Sequence, residues 1–296
     1  MSEKTLGVLG GVGPLATVYF ADLVIKMTDA KTDQEHIPMV ILNHASIPDR
    51  TDYILDRTKP NPLPVIRRCF PISGMEGYLD DILVLDYLIA NEDRHLGNFG
   101  FIRDVNTLQY LGPAPIFDNG TRLWCNSRES KLGEAVKAKP FFISHEQQLA
   151  LIKHWENYDF SSLTEAGELV AEVFASANEE ECSAKRKQLL AQAVKERVQA
   201  ISLYQARQQG QLSHAAIVKE LQQLELNTEP IFYYYLQMQG VQSLKYNPAF
   251  DQKIIAALLK DGFSMEQCKR IMLNSPHFRS SQHVETLLKS QMRNIE

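Results

Sequence analysis

Two apolar runs, Ile82–Ala90 and Leu111–Phe117, each lead directly into carboxylates, and this pairing constrains the chain more than any other feature. The first run passes into Asn91-Glu-Asp93-Arg-His95-Leu-Gly-Asn98-Phe-Gly100, the second into Asp118-Asn-Gly120. Short apolar runs bounded by turn residues are buried elements, so the polar residues that follow are held at the ends of those elements. The outcome is an acid at Asp93, an amide at Asn98, and a second acid at Asp118 beyond a strand turn. That set suits phosphoryl transfer, which needs a carboxylate near an acceptor hydroxyl and an amide and a carboxylate to hold Mg²⁺ on the phosphates. Taken singly, each piece also reads as a turn: Asp-Arg-His is a solvated turn sequence, and Phe-Asp-Asn-Gly is turn-forming by composition.

The opening has a different pattern. Leu6–Leu9 is strand-like and runs into a glycine turn at Gly10, Gly11 and Gly13. Ala16–Met27 has helical periodicity, with Tyr19, Phe20, Leu23, Val24 and Met27 on one face, and Ile37–Asn43 reads as a second buried strand. Strand, crossover helix and strand make a βαβ unit. Bare amides at the helix start favour an anion. The spacing is not the dinucleotide fingerprint, which also requires an acid after the second strand, where this chain has Asn43-His44.

Length and composition set the outer bounds. A chain of 296 residues predicts about two domains. A net charge of -5 provides no general attraction to nucleic acid or to an anionic membrane. No apolar run approaches the ~20 residues of a membrane span. Met1-Ser-Glu-Lys-Thr leads straight into a strand, so no signal peptide is expected. Cys69, Cys125, Cys182 and Cys268 are scattered without metal-ligand spacing, which predicts reduced, buried thiols in a cytoplasmic protein.

Residues 1–68 resemble the start of the aspartate/glutamate racemase family. The likeness rests on Gly7-Val-Leu-Gly10-Gly11-Val-Gly13-Pro14-Leu-Ala-Thr17, Asp33-Gln34-Glu-His36-Ile-Pro38, Asn43, and Ser46-Ile-Pro48-Asp49-Arg50-Thr51, and it continues through Pro60–Pro64 to about Arg68. The resemblance implies two cysteines flanking a substrate α-carbon. Neither has a counterpart here: Cys69 comes too early, in Arg-Cys-Phe-Pro, and Cys125 belongs to the next segment. Asn43, Ser46, Asp49 and Arg50 could still line a carboxylate pocket, whereas two-base racemisation has no support. A βαβ cap without activity is the expected role.

Residues 69–207 resemble the C-terminal lobe of HipA-like serine/threonine kinases. The matching residues are Leu85–Gly100, Ala114-Pro115-Ile-Phe117-Asp118-Asn-Gly120, Lys139-Pro-Phe, and a closing helix with Arg197. The resemblance implies that Asp93 is the catalytic carboxylate, that Asn98 and Asp118 bind Mg²⁺, and that His95 and Phe117 lie near ATP. The family's small lobe, with its glycine-rich covering loop and phosphate-pairing lysine, has no match upstream. Lys26 falls on a helix rather than on the required strand. Local patterns predict a hairpin over Phe99–Ile102 and Thr107–Leu111 and helices over Glu146–His154, Leu163–Phe174 and Lys185–Tyr204.

Residues 208–296 predict a helical tail over Ala215–Leu226, Pro230–Gln239, Phe250–Lys260, Ser264–Leu273 and Val284–Met292, with Ser264 as a cap and Gly262 as a stop. Ile231–Leu236 reads as a buried helix with tyrosine hydroxyls at its rim. Its alternative, base stacking aided by Lys245, Lys253 and Arg270, lacks a basic excess. The expected architecture is therefore an α/β opening with a βαβ unit, a mainly α kinase C-lobe-like region, and an α-helical tail. The leading functional expectation is an incomplete Mg-nucleotide site with a nucleotide and a protein substrate as partners. A non-catalytic composite scaffold and an aspartate- or glutamate-binding remnant are the alternatives.

Overall fold

The computed structural model describes residues 4–10, 14–43, 59–60, 75–104, 107, 109–177, 182–241, 247–275 and 280–292. Gly11, Gly13, Ser46, Asp49, Arg50, Cys69 and Lys245 lie outside them. The described chain is mainly helical and divides into two compact units. The first comprises Met1–Leu83, Asp93–Gly120 and Ala138–Ile143, and the second Val84–Glu92, Thr121–Lys137 and Ser144–Glu296.

In the first unit, β1 (Lys4–Gly10) pairs in parallel with β2 (Met39–Asn43), Leu6 opposite Met39, and α1 (Pro14–Met27) makes the crossover between them. β3 (Phe101–Asp104) joins the other side of β1 antiparallel, Leu6 opposite Ile102, and β4 (Tyr110–Pro113) closes the sheet beside β3 in the order β2-β1-β3-β4. The predicted hairpin forms with its strands slightly later in the chain. Asp104 carries the bend, its carboxylate accepting from the Thr107 backbone N–H at 2.7 Å and from the Thr107 hydroxyl at 2.9 Å. One sheet therefore contains strands from residues 1–68 and from residues 69–207.

The apolar face expected of α1 is only partly covered. Leu23 and Val24 are half-buried, whereas Tyr19, Phe20 and Met27 stand exposed. Periodicity identifies which face is apolar and carries no information about what will cover it. α2 (Met75–Leu88) begins in the first unit, where it buries Tyr78, Leu79, Ile82 and Leu83. Just past its end, the Asn91 backbone N–H and side-chain amide both return to Asp86, at 3.0 and 2.9 Å.

The second unit contains α3 (His145–Leu149), α4 (Ala166–Val173), α5 (Ala184–Gln208), α6 (His214–Leu221), α7 (Glu229–Met238), α8 (Asp251–Lys260), α9 (Met265–Leu273) and α10 (Ser281–Met292). α3 stops well short of the predicted His154. α5 is capped by Ser183, whose hydroxyl accepts from Arg186 N at 3.0 Å. It buries Leu190, Ala193, Val194, Val198 and Ile201 along one face and leaves Leu189 half-buried. Leu190 and Ala193 share a core with Trp124, Leu132 and Cys182. Cys125, by contrast, is exposed, against the expectation that every cysteine would be buried. It follows Trp124 in a tight turn that points the indole inward.

Ile231 through Leu236 of α7 are all buried, and the Tyr235 hydroxyl donates to Asp261 at 2.6 Å at the helix rim. Ser264 and Gln267 form the predicted capping box, and Gly262 ends α8 with φ +88. Among the described residues, no helix is long and apolar enough to cross a membrane.

Candidate functional site

The stretch after α2 turns on glycine. Leu96–Asn98 forms one 3₁₀ turn, and a side chain at Gly97 would place its Cβ 3.2 Å from the His95 ring. At Gly100 a Cβ would lie 3.0 Å from the Ala114 methyl and 3.5 Å from the Phe117 ring. The absent side chains allow the loop to lie flat on the segment that carries Phe117 and Asp118. Asn98 is thereby buried at 1% exposure, with its Oδ1 accepting from His95 N at 3.2 Å. Its Nδ2 donates to Asp118 Oδ2. The amide and the second acid, twenty residues apart in the chain, are thus in direct contact.

Arg94, fully buried, fixes that contact. One guanidinium nitrogen donates to the Phe117 carbonyl at 2.6 Å and the other to the Asn119 side-chain oxygen. The fork grips the residues on either side of Asp118, which itself adopts the left-handed backbone at φ +57. That conformation is uncommon outside glycine, Asn and Asp, and here it holds the carboxylate exposed at the turn. Burial raises the hydroxyl pKa of Tyr78 on α2, with the Gly100 backbone and the Arg94 charge acting in the opposite direction.

Asp93 extends outward, and Lys139 donates to its Oδ1 at 2.6 Å. The lysine sits in a turn closed by Ala138 N to Ile143 O at 3.0 Å, with Pro140, Phe141 and Phe142 buried behind it. Phe141 lies against Phe99, the residue after Asn98, with ring centroids 6.5 Å apart. Phe117 is 43% exposed beside this loop. Asp93, His95, Asn98, Phe117 and Asp118 all belong to the first compact unit. No family model matches the chain, and no solved structure matches it.

The Asp118 carboxylate and the Asn98 amide oxygen are hard donors of the kind that hold Mg²⁺ when phosphates and water complete its shell, and the two side chains are close enough to share an ion. The amide turns its nitrogen toward Asp118, so offering both oxygens requires the Asn98 carboxamide to rotate away from His95 N. Among the described residues, no group of three His, Cys, Asp or Glu side chains is placed to hold a metal unaided. Lys26 pairs with Asp22 one turn back on α1, at 2.7 Å. Nothing in the local sequence marks the contacts of Arg94 and Lys139.

A second set of acids lies in the second unit. Glu146 is fully buried, accepts from the Tyr87 hydroxyl at 3.2 Å, and has its pKa pushed up to about 8, first by burial and then by the charge of Glu229. Burial also raises Glu229, which accepts from the Ser144 hydroxyl. Burial holds His145 well below its usual range, and the charge of Arg197 acts in the same direction. The Arg197 guanidinium lies between the rings of Tyr87 and Trp124, at 4.9 and 5.0 Å. Strongly shifted acids often mark active sites, but these are sealed from solvent and act on the fold.

Proposed function

We propose that the Asp93–Asp118 region is a kinase-type Mg-nucleotide site with little or no turnover. The observation that carries this reading is the Asn98–Asp118 contact, braced by Arg94 on both sides of Asp118. Asp118 and Asn98 would hold magnesium, which when bound neutralises charge on the nucleotide phosphates. Asp93 is the carboxylate that would accept a proton from an acceptor hydroxyl. His95 and Phe117 would lie near the nucleotide. Low turnover follows from the sequence, in which neither a glycine-rich covering loop nor its strand lysine is recognisable. Positioning of that kind supplies several kcal/mol of barrier reduction in phosphoryl transfer.

For residues 1–68 we propose a structural role. It is supported by the position of β1 between β2 and β3.

Mg-ATP tests the nucleotide site. It should raise the melting temperature of the full chain, and Asp118→Ala should abolish that shift, on top of a lower unliganded melting temperature because the buried Asn98 amide loses its acceptor. An equal shift in wild type and variant would sink the proposal, as would no shift in the wild type.

A further inference from the structure

We propose that Lys139 is the cation that receives the terminal phosphate of the bound nucleotide. The inference rests on the Mg-nucleotide reading and adds a residue to that site.

Asp93 has an electrostatic problem in that reading. A carboxylate placed to face an acceptor hydroxyl also faces the incoming phosphate, and like charges repel unless a cation stands between them. Lys139 Nζ, 2.6 Å from Asp93 Oδ1, is such a cation. The contact with Asp93 engages one N–H of an ammonium that has three. Both side chains are about half-exposed, 41% for Lys139 and 50% for Asp93, so a ligand from solvent can reach the pair. Ion pairs this exposed contribute little to stability, and the pairing is not explained as a fold-holding contact. The backbone beneath is rigid, closed by the Ala138–Ile143 hydrogen bond and anchored by buried Phe141 and Phe142, so the charge is held in place. A lysine from this turn would thus supply part of the charge that a strand lysine under a covering loop supplies elsewhere.

Titration calorimetry of the full chain with Mg-ATP and Mg-ADP provides the test. Lys139→Ala should weaken Mg-ATP binding by roughly tenfold and leave Mg-ADP within about twofold, the pattern of losing one charge-assisted contact to the last phosphate. Lys139→Arg should recover most of the loss. If Lys139→Ala binds ATP as wild type does, the inference fails and the magnesium site stands. It also fails if ATP and ADP weaken alike, since the lysine then only fixes the loop, or if Lys139→Arg binds as poorly as Lys139→Ala. A wild-type protein that binds neither nucleotide removes the site reading, and this inference with it.

Discussion

In the first unit α1 leaves Leu15, Val18, Tyr19 and Met27 exposed, whereas α7 of the second unit buries every side chain from Ile231 to Leu236. The acids follow the same division. Asp93 and Asp118 face solvent at the ends of buried elements, and Glu146 and Glu229 are enclosed among Tyr87, Arg197 and Ser144. The comparison separates two uses of one chemistry. An exposed carboxylate keeps its charge and can meet a ligand. An enclosed one gives up its charge to remain in the core. The acids whose pKa burial raises are the enclosed ones, and the candidate site is built on exposed carboxylates held by a fully buried arginine.

The contrast can be broken experimentally, beginning with its largest effect. Phe232 on α7 is fully buried, and Phe232→Ala should destabilise the protein by about 3–5 kcal/mol through loss of packing and the cavity left behind. Urea denaturation with an unchanged slope checks it. A loss below about 1 kcal/mol would mean that α7 is not the packed element described.

Arg94→Lys comes next. Lysine cannot span the Phe117 carbonyl and the Asn119 side chain together, so one acceptor loses its partner, at a cost of about 1–3 kcal/mol. The same variant should reduce the Mg-ATP melting shift, because Asp118 loses its brace. Full retention of both quantities would detach Arg94 from the site.

The enclosed acids predict a pH dependence. Glu146 has a folded pKa of about 8 against an ordinary value of 4.5, so the folded state binds the extra proton between those limits. Its contribution to stability is complete below about pH 4.5 and is lost as pH rises through about 8, at up to about 1.4 kcal/mol per pH unit. Glu146→Gln, neutral throughout, should flatten that part of the profile. Parallel profiles for wild type and variant from pH 5 to 8 would contradict the burial of an ionisable Glu146.

The smallest effect belongs to α1. Met27 is 80% exposed, and Met27→Ala should change stability by no more than about 0.5 kcal/mol. A loss comparable to that of Phe232→Ala would show that α1 packs as α7 does, and the contrast would disappear.

What could be read in advance was local. The α5 stripe, the Ser264–Gln267 box and the Gly262 stop depend on residues within a turn or two of one another, so periodicity and capping chemistry reveal them. Asn98 and Asp118 were paired by their chemistry, and the fold brings them into contact. Arg94 was invisible because nothing in Asp-Arg-His fixes the direction of its middle side chain. Lys139 was missed for distance, reaching Asp93 across forty-six residues. Glu196 is a similar case: its carboxylate receives the backbone N–H groups of Glu225, Leu226 and Asn227, at 3.1, 2.9 and 2.9 Å, and no helical pattern identifies such a partner. The exposure of α1 was hidden because it depends on the rest of the chain.

The strand order has a practical corollary for anyone trimming this polypeptide. β3 lies in the stretch between the two carboxylate turns, and its neighbour β1 comes from the first ten residues. Starting the chain at residue 69 would strip a row of backbone amides and carbonyls of their partners. It would turn an interior strand into a sticky margin. The boundary between the first 68 residues and the rest is thus one the sheet would tolerate poorly as a cut.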